Sequence, residues 1–306
     1  MRNKVIVIAG PTAVGKTELS IRLSKALKGE VINGDAMQVY RGLDIGTAKI
    51  KPEEMQGVPH HLFDILGPEQ SFSAAEYQRA VREKIYEVHT RGSIPVLTGG
   101  TGLYIQSVLY DYNFSDKGKD DTIRLQLEKA HQEGVDLHKK LTELDGVTAS
   151  AIHPNNVRRV IRALEIIEST GMTPAELKSI QTPEPLYNHE LIGLDMDRDL
   201  LYERINKRVD MMIEEGLVEE VRGLYKSGIR DVTSVQAIGY KELYAYFEGE
   251  ITYEDALDRI KQNSRRYAKR QLTWFRNKMD FKWFNMSENR EKKIKEIIDY
   301  LQEFGL

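Results

Sequence analysis

Short apolar runs alternate with amphipathic segments in the first third of the chain. Apolar, largely β-branched runs bounded by turn residues predict buried parallel strands at residues 5–9, 30–34 and 94–98. Helical periodicity predicts helices at residues 18–27 and 73–91, and a further helix that ends at Leu109. The second of these begins with a capping box, because Ser73 is followed three residues later by Glu76. Alternating strands and helices indicate an α/β fold in which helices flank a parallel sheet.

The periodicity changes in the middle of the chain. Residues 116–121 are a charged linker, residues 122–180 show only helical patterns, and Pro183 and Pro185 close the segment. A strand returns at residues 191–195. The elements predicted after it are helices at 200–224, 236–247 and 253–277, a short strand at 281–284 and a final helix.

These patterns divide the 306 residues into two predicted parts. Residues 1–115 and 190–306 form an α/β core with C-terminal helices, and residues 116–189 form an all-helical insertion. The composition, 41% hydrophobic and 30% charged, is that of an ordered globular protein. The lack of cysteine excludes disulfides and thiolate zinc sites. No apolar stretch reaches the length of a membrane span or a signal peptide, and no heptad repeat occurs, so we expect a cytoplasmic monomer.

A phosphate-binding loop is the first specific chemical signal. Residues 10–17 match the pattern G-x-x-x-x-G-K-[ST] between a predicted strand and a predicted helix, which is the context the motif requires. They are Gly10, Pro11, Thr12, Ala13, Val14, Gly15, Lys16 and Thr17. Backbone N–H groups and the helix N-terminus bind phosphate oxygens, Lys16 adds a cation, and the Thr17 hydroxyl can ligate Mg²⁺. The motif predicts a P-loop NTPase-like sheet and a diphosphate or triphosphate ligand, without specifying ATP.

Asp35 follows the second predicted strand, at the edge of the sheet where ligands bind. It can ligate magnesium or act as a general base, and a turn or helix-capping role is the alternative. Asp195 is the only other acid at a predicted strand end, and for it we favour capping of the helix that follows. The lack of the paired acids of a motor-type ATPase favours a transferase or a kinase.

Seven sequence blocks carry a family resemblance. The first block is DAMQVYRGLDIGTAK at residues 35–49. The others are VPHHL (58–62), GGTGLY (99–104), HPNNVRRVIRALE (153–165), RINKRV (204–209), QAIGYK (236–241) and KRQLTWF (269–275). Together, and over nearly the whole chain, they resemble the tRNA dimethylallyltransferases, also called tRNA isopentenyltransferases. Ala36 stands where that family usually carries serine, and the eukaryotic zinc-finger extension is absent, so the resemblance is to the bacterial type.

The resemblance implies a specific reaction. Members of this family transfer the dimethylallyl group of dimethylallyl diphosphate to the exocyclic amine of the adenosine 3′ of the anticodon in tRNA. Carried onto this chain, residues 10–17 bind the diphosphate with Mg²⁺ at Thr17. The catalytic residues implied are Asp35, Lys16, Thr17, Arg208 and Thr101. Asp35 takes the proton of the amine, and Lys16 and Arg208 stabilise the leaving diphosphate. Thr101 contacts the target nucleotide or its neighbours, and a turn that packs against the sheet is the alternative for it.

The resemblance also implies that the helical insertion binds the tRNA anticodon stem-loop. Three arginines near residue 160 lie apart from the apolar face of their helix, and seven basic residues without an acid occur between Lys261 and Lys278. In a chain of net charge −3 this clustering favours phosphate binding, whereas we expect the interleaved aromatic residues to be core. The predicted tRNA-binding residues are Asp35, Ala36, Met37, Gln38, Thr101, Arg124, Arg158, Arg159, Val160, Ile161, Arg162, Gln236, Lys241, Arg265 and Arg266.

Three other functions stay open at this point. A nucleoside or shikimate-type kinase explains Lys16, Thr17 and Asp35 equally well, but it does not explain the basic faces or the long helical C-terminal half. A prenyltransferase acting on free adenine nucleotides explains the chemistry, but such enzymes are generally shorter and lack the insertion. An RNA-binding module with an inactive P-loop is disfavoured by the intact set of polar residues.

Overall fold

Six parallel strands form one sheet in the computed structural model, which describes residues 4–111, 121–180 and 184–303. The strands are β1 (Lys4–Ala9), β2 (Gly29–Asn33), β3 (His60–His61), β4 (Ile94–Gly99), β5 (Asn188–Asp195) and β6 (Lys282–Asn285). Their order across the sheet is β3-β2-β4-β1-β5-β6, and every neighbouring pair is parallel. The predicted parallel sheet is therefore confirmed. Only the two-residue β3, which is too short for a periodicity signal, was not predicted.

Thirteen α-helices accompany the sheet within the described residues. They are α1 (Lys16–Leu27), α2 (Ala74–Thr90), α3 (Gly102–Leu109), α4 (Asp121–Gln132), α5 (Leu137–Leu144), α6 (Gly146–Ser150), α7 (Val157–Thr170), α8 (Pro174–Ile180), α9 (Arg198–Glu214), α10 (Leu217–Lys226), α11 (Tyr240–Phe247), α12 (Tyr253–Lys278) and α13 (Arg290–Glu303). The capping box predicted for α2 is present, because Ser73 Oγ accepts from Glu76 N and Glu76 Oε2 accepts from Ser73 N.

The helix predicted at residues 200–224 is wrong as a single element. Gly216 has a φ of 103° and interrupts the helical hydrogen bonding, so α9 ends at Glu214 and α10 begins at Leu217. The helix predicted at residues 236–247 also starts late, since Ser234–Gln236 form a 3-10 turn before α11. Both differences lie at glycine-containing turns, where a helical apolar pattern continues across a break in the backbone.

The chain forms two compact units, which are described separately. The larger unit comprises residues Met1–Leu109 and Leu186–Leu306, and the helical unit comprises Tyr110–Pro185. Residues 186–189, which the sequence placed in the insertion, belong to the larger unit because Leu186 N donates to Leu109 O and Asn188 begins β5. Apart from Asp121, which begins α4, the predicted linker at residues 116–121 lies outside the described residues, as does Pro183.

The core of the larger unit lies on both faces of β1. Val5 and Val7 are buried on one face and Ile6 and Ile8 on the other. Ile6 and Ile8 share a cluster with helix residues, namely Leu19 of α1 and Ile294 and Ile297 of α13. Burial of a strand on both faces is what its continuous apolar run predicts. α1 and α13 therefore pack as neighbours, which brings the start of α13 close to the P-loop at the start of α1.

A second core holds the loop that follows β2. Val39, Tyr40 and Leu43 are buried in one cluster with Leu217 and Tyr240 from α10 and α11. The segment that contains the first family block is thus packed against the C-terminal helices rather than exposed. It can present residues to a ligand from a fixed position.

A single carboxylate fixes the backbone of that loop. Glu220 accepts hydrogen bonds from the amides of Asp44 (3.0 Å), Ile45 (2.8 Å) and Gly46 (3.1 Å), and from the hydroxyl of Tyr240 (2.5 Å). Hydrogen bonds to an ionised acceptor are stronger than neutral ones. Glu220 therefore ties the loop to α10 and α11.

The helical unit has a small apolar core of its own. Leu127 of α4, Leu141 of α5, and Val160, Ile161 and Leu164 of α7 are buried together. The all-helical character predicted for residues 122–180 is confirmed by α4 to α8. In the described parts of the chain, none of the helices combines the length and the apolar character needed to cross a bilayer. The monomeric state stays a prediction, and light scattering tests it.

An ion-pair network surrounds Glu30 at the start of β2. Glu30, whose side chain is 7% exposed, accepts hydrogen bonds from Arg91 Nη2 (2.7 Å) and His61 Nε2 (2.6 Å). Burial alone would raise the pKa of Glu30, but the hydrogen bonds from Arg91, His61 and Ser93 outweigh it and lower the pKa to about 2. The ionised carboxylate therefore stabilises the fold.

Replacing Glu30 with glutamine is expected to lower the free energy of unfolding at pH 7 by about 1–2 kcal/mol. This is less than the full pKa shift would give, because Arg91 is partly exposed and solvent screens its charge. The folded-state pKa lies below the ordinary glutamate value of 4.5, so the wild-type advantage is complete above pH 4.5 and is lost as the pH falls through about 2. Urea unfolding at pH 7 and pH 3 measures this. Glu296→Gln, at the solvent-accessible Lys293–Glu296 pair of α13, is the control. An undiminished difference at pH 3 would mean that the charge is not the cause.

Candidate active site

A cavity of about 580 Å³ opens at the carboxyl ends of β1, β2 and β4 in the larger unit. The loops that follow these three strands line it, together with side chains from α9 and α12. Ligands bind at this edge in parallel α/β sheets because adjacent loops diverge there. The cavity therefore brings together the P-loop, Asp35 and Thr101, which the sequence singled out separately.

The P-loop has the local context that its motif requires. β1 ends at Ala9 and α1 begins at Lys16. Lys16 Nζ donates to the carbonyls of Gly10 (3.0 Å) and Pro11 (2.8 Å). The ammonium is thus held inside the loop, at the end of the cavity suited to a phosphate group.

Four cations follow one another along this end of the cavity. Burial, and after it the charge of Arg208, lower the pKa of Lys16 to about 7. Burial and then Arg204 lower the pKa of Arg208, while burial and then Arg290 lower that of Arg204. Arg208 also lies against the P-loop, with its Nη1 3.4 Å from Thr12 Oγ1. Like charges this close are unfavourable by themselves, so the arrangement suits an anion with several negative charges.

Asp35 occupies a defined turn at the same cavity. Asn33 Oδ1 accepts from Asp35 N (2.9 Å), and Asp35 Oδ1 accepts from Met37 N (2.8 Å). The turn role that the sequence left open is therefore real, and it coexists with a position in the cavity wall. Because one oxygen of the Asp35 carboxylate accepts this hydrogen bond, the orientation of the whole carboxylate is fixed.

Thr101 is placed beside Asp35 by a close approach of two loops. A Cβ on Gly99 would lie 2.0 Å from Gly34 O, so only glycine allows this contact. Thr101 N donates to Gly34 O (3.3 Å), and Thr101 Oγ1 accepts from Ala36 N (3.2 Å). The loops after β2 and β4 thus form a single wall.

Gln271 and Tyr267 of α12 join this wall to the P-loop, and sequence reasoning did not assign either of them to the site. Gln271, which is 5% exposed, accepts from Thr12 N (3.0 Å) and donates from Nε2 to Gly100 O (3.0 Å). Tyr267 hydrogen-bonds to Thr101 and Gln271, and burial, then Asp35, raises its pKa. A signal was present, because Gln271 is a polar residue on the buried helical face of α12.

The predicted tRNA-binding residues of the larger unit separate into two groups. Besides Asp35 and Thr101, those that line the cavity are Ala36, Met37, Gln38, Gln236 and Lys241. Arg265 and Arg266 lie outside the cavity lining, and Arg265 Nη1 donates to Asn206 Oδ1 (2.5 Å). Arg270, which was not among the predicted residues, does line it.

Two cations of the basic stretch have acidic partners from elsewhere in the fold. Lys261 pairs with Asp210 (2.5 Å), and Arg276 pairs with Asp195. The helix-capping role favoured for Asp195 is therefore wrong. α9 has Asp197 at its N-cap position, and Asp195 instead bonds to Met196 N and to Arg276.

The predicted residues of the helical unit are partly exposed and partly core. Arg158, Arg159 and Arg162 are exposed on α7, and Arg162 also pairs with Glu165 at 3.0 Å. Arg124 is exposed on α4 and pairs with Glu128 (3.1 Å).

The prediction that Val160 and Ile161 bind tRNA is wrong for their side chains. They are 1% and 5% exposed, because they form the core-facing stripe of α7.

Comparison with known proteins gives a consistent result. The model of the IPP transferase family matches residues 38–278. The tRNA dimethylallyltransferase of Bacillus pumilus is 57% identical over 304 residues, which cover 98% of this chain and 96% of the relative. The enzyme of the same name from Bacillus subtilis is 58% identical and covers 98% and 97%.

Solved structures agree with these matches. The full-length tRNA isopentenylpyrophosphate transferase of Bacillus halodurans is 54% identical with a TM-score of 0.76, and the match covers 99% of this chain and 96% of that one. A eukaryotic dimethylallyltransferase acting on tRNA is 29% identical with a TM-score of 0.85, and covers 98% and 80%. The P-loop-type architecture predicted from the sequence is therefore shared over the length of the chain.

Proposed function

The chain belongs to the IPP transferase family, and we propose that it transfers a dimethylallyl group from dimethylallyl diphosphate to the exocyclic amine of an adenosine in tRNA. One observation carries the proposal for this chain. A row of cations at the P-loop and a carboxylate beside Thr101 line a single cavity. The first suits a diphosphate leaving group, and the second suits an amine that must lose a proton.

The two ends of the cavity have separate tasks in the transfer. The bond between the allylic carbon and the diphosphate oxygen breaks, and its electron pair stays on the diphosphate. A bond forms between that carbon and the exocyclic nitrogen, whose proton passes to Asp35 and then to solvent. Lys16 and Arg208 stabilise the charge that develops on the leaving group. Thr101 and Asp35 orient the adenine.

We propose that Mg²⁺ binds with the diphosphate at Thr17. Thr17 lines the cavity, and its hydroxyl is an oxygen donor of the kind that Mg²⁺ prefers. The described residues contain no cluster of three or more His, Cys, Asp or Glu side chains that could hold a metal alone. Diphosphate oxygens and water would therefore supply most ligands, as is usual for this ion. When bound, it would neutralise charge on the leaving group.

The target adenosine is proposed to be the one 3′ of the anticodon. A base in an unpaired loop leaves its stack at low cost and can then enter the cavity. The exposed arginines of α7 are proposed to contact phosphates of the anticodon stem-loop.

Replacing Arg158 and Arg162 together with alanine is expected to raise the tRNA KM about tenfold and to reduce the slope of log affinity against log salt by about 1.5. Binding releases counterions from the RNA at each phosphate contact, so a variant with fewer contacts releases fewer of them. Steady-state kinetics at four salt concentrations measure both quantities. The control removes Lys292 and Lys295, two exposed cations of α13. An unchanged KM and slope would remove α7 from the RNA surface.

The function itself is tested with magnesium and radiolabelled dimethylallyl diphosphate. An adenosine-rich anticodon stem-loop and AMP are offered separately, and the labelled product is identified. Label on the stem-loop alone supports the proposal. Label on AMP would assign prenylation of free nucleotides, and ATP hydrolysis without any labelling would assign a kinase.

A further inference from the structure

Arg290 lies on the P-loop although it is more than 270 residues away in sequence. It is the first residue of α13, and its side chain lines the cavity. A Cβ on Gly15 would lie 2.0 Å from Arg290 Nη2, so the guanidinium is seated directly on the loop backbone. Nothing in the local sequence around residue 290 indicates this position.

The guanidinium of Arg290 has hydrogen-bond donors available for a second partner. Its Nη2 pairs with Glu18 Oε2 at 2.6 Å. Its Nε is buried and has no hydrogen-bond partner within the described part of the chain. A guanidinium offers five donors, so one ion pair leaves several for a second anion.

Arg290 also ends the row of cations that begins at Lys16. It contributes, after burial, to the lowered pKa of Arg204, which in turn acts on Arg208. Glu18 is the acid bonded to this end of the row. Glu54 acts on Arg208 and Asp35 on Lys16 as well, but three carboxylates do not balance three guanidinium groups and an ammonium, so an anion would complete the site.

We propose that Arg290 is a further diphosphate-binding residue of the active site, exchanging its bond to Glu18 for bonds to the diphosphate. The inference rests on the proposed function for the identity of the anion. The guanidinium fork matches two phosphate oxygens at once, and such charge-assisted bonds are among the strongest in proteins. Glu18 holds the guanidinium when no diphosphate is bound and competes with the diphosphate for it.

The alternative is that the Arg290–Glu18 pair only braces α1 against α13. The chain offers a matched control for that role. Arg22 of α1 pairs with Glu291 of α13 at 2.6 Å, joining the same two helices, and neither residue lines the cavity. A brace would make the two pairs equivalent.

The experiment measures binding of inorganic diphosphate by calorimetry with magnesium, in the absence of RNA. We expect Arg290→Met to weaken binding 10- to 100-fold and Arg290→Lys to weaken it less. Glu18→Gln should leave the affinity equal or higher, because it releases the guanidinium. Arg22→Met should have no effect. Thermal unfolding of each variant separates misfolding from lost affinity.

Two results would overturn the inference. One is an Arg290→Met variant that folds and binds diphosphate like the wild type. The other is an equal loss of affinity in Arg290→Met and Glu18→Gln, which a brace predicts. Because the binding measurement needs no RNA, either result is distinct from failure of the wild-type enzyme to label the stem-loop.

Discussion

Replacing Asp35 with asparagine is expected to lower kcat by about three orders of magnitude and to leave the tRNA KM nearly unchanged. The exocyclic amine of adenine is a weak nucleophile because its lone pair is delocalised into the ring, so the transfer needs a base. Asparagine cannot accept the proton. It can still accept the hydrogen bond from Met37 N that holds the turn in the wild type.

Single-turnover rates at saturating dimethylallyl diphosphate and stem-loop measure this effect. Asp35→Ala, which also loses the bond to Met37, serves as the comparison. Equal loss in both variants assigns the effect to the base. If the asparagine variant stays active while the alanine variant does not, Asp35 acts only through the turn. Parallel loss of rate and tRNA binding would also make its role structural.

Replacing Lys16 with methionine is expected to lower kcat/KM for dimethylallyl diphosphate by about 10³-fold. The variant keeps an unbranched side chain but removes the cation at the P-loop. No other cation bonds to the carbonyls of Gly10 and Pro11 among the described residues, so a shift of Arg208 would not restore its position. Lys25→Met, at an exposed position on the same helix, is the control.

The same substitution is expected to raise the melting temperature at pH 7. Burial and Arg208 lower the pKa of Lys16 to about 7, below the ordinary lysine value of 10.5, so the fold disfavours its charge. That cost is complete below pH 7 and disappears as the pH rises towards 10.5. Methionine removes it. Differential scanning calorimetry therefore separates a role in binding the diphosphate from a role in holding the P-loop. A lower melting temperature in the variant would mean that Lys16 mainly holds the loop together.

The elements that position the site follow largely from local sequence. The run at residues 5–9 is apolar on both faces and forms the central strand β1. The P-loop is a single continuous segment that follows this strand directly in the sequence. The box of Ser73 and Glu76 began α2 as expected. Asp35 was placed at the correct edge because the carboxyl ends of parallel strands share one side of the sheet. The break at Gly216 was not foreseen, since periodicity does not report a change of helix direction.

The sequence by itself determined the phosphate-binding chemistry, the parallel sheet and the family, because each depends on neighbouring residues or on ordered blocks. Only the tertiary structure decided which distant side chains complete the site. Gln271 bonds to Thr12 across 259 positions, and Arg290 reaches Gly15 through the packing of α13 on α1. It also decided that Val160 and Ile161 are core. Such partnerships depend on how helices pack, and no local pattern of residues encodes that geometry.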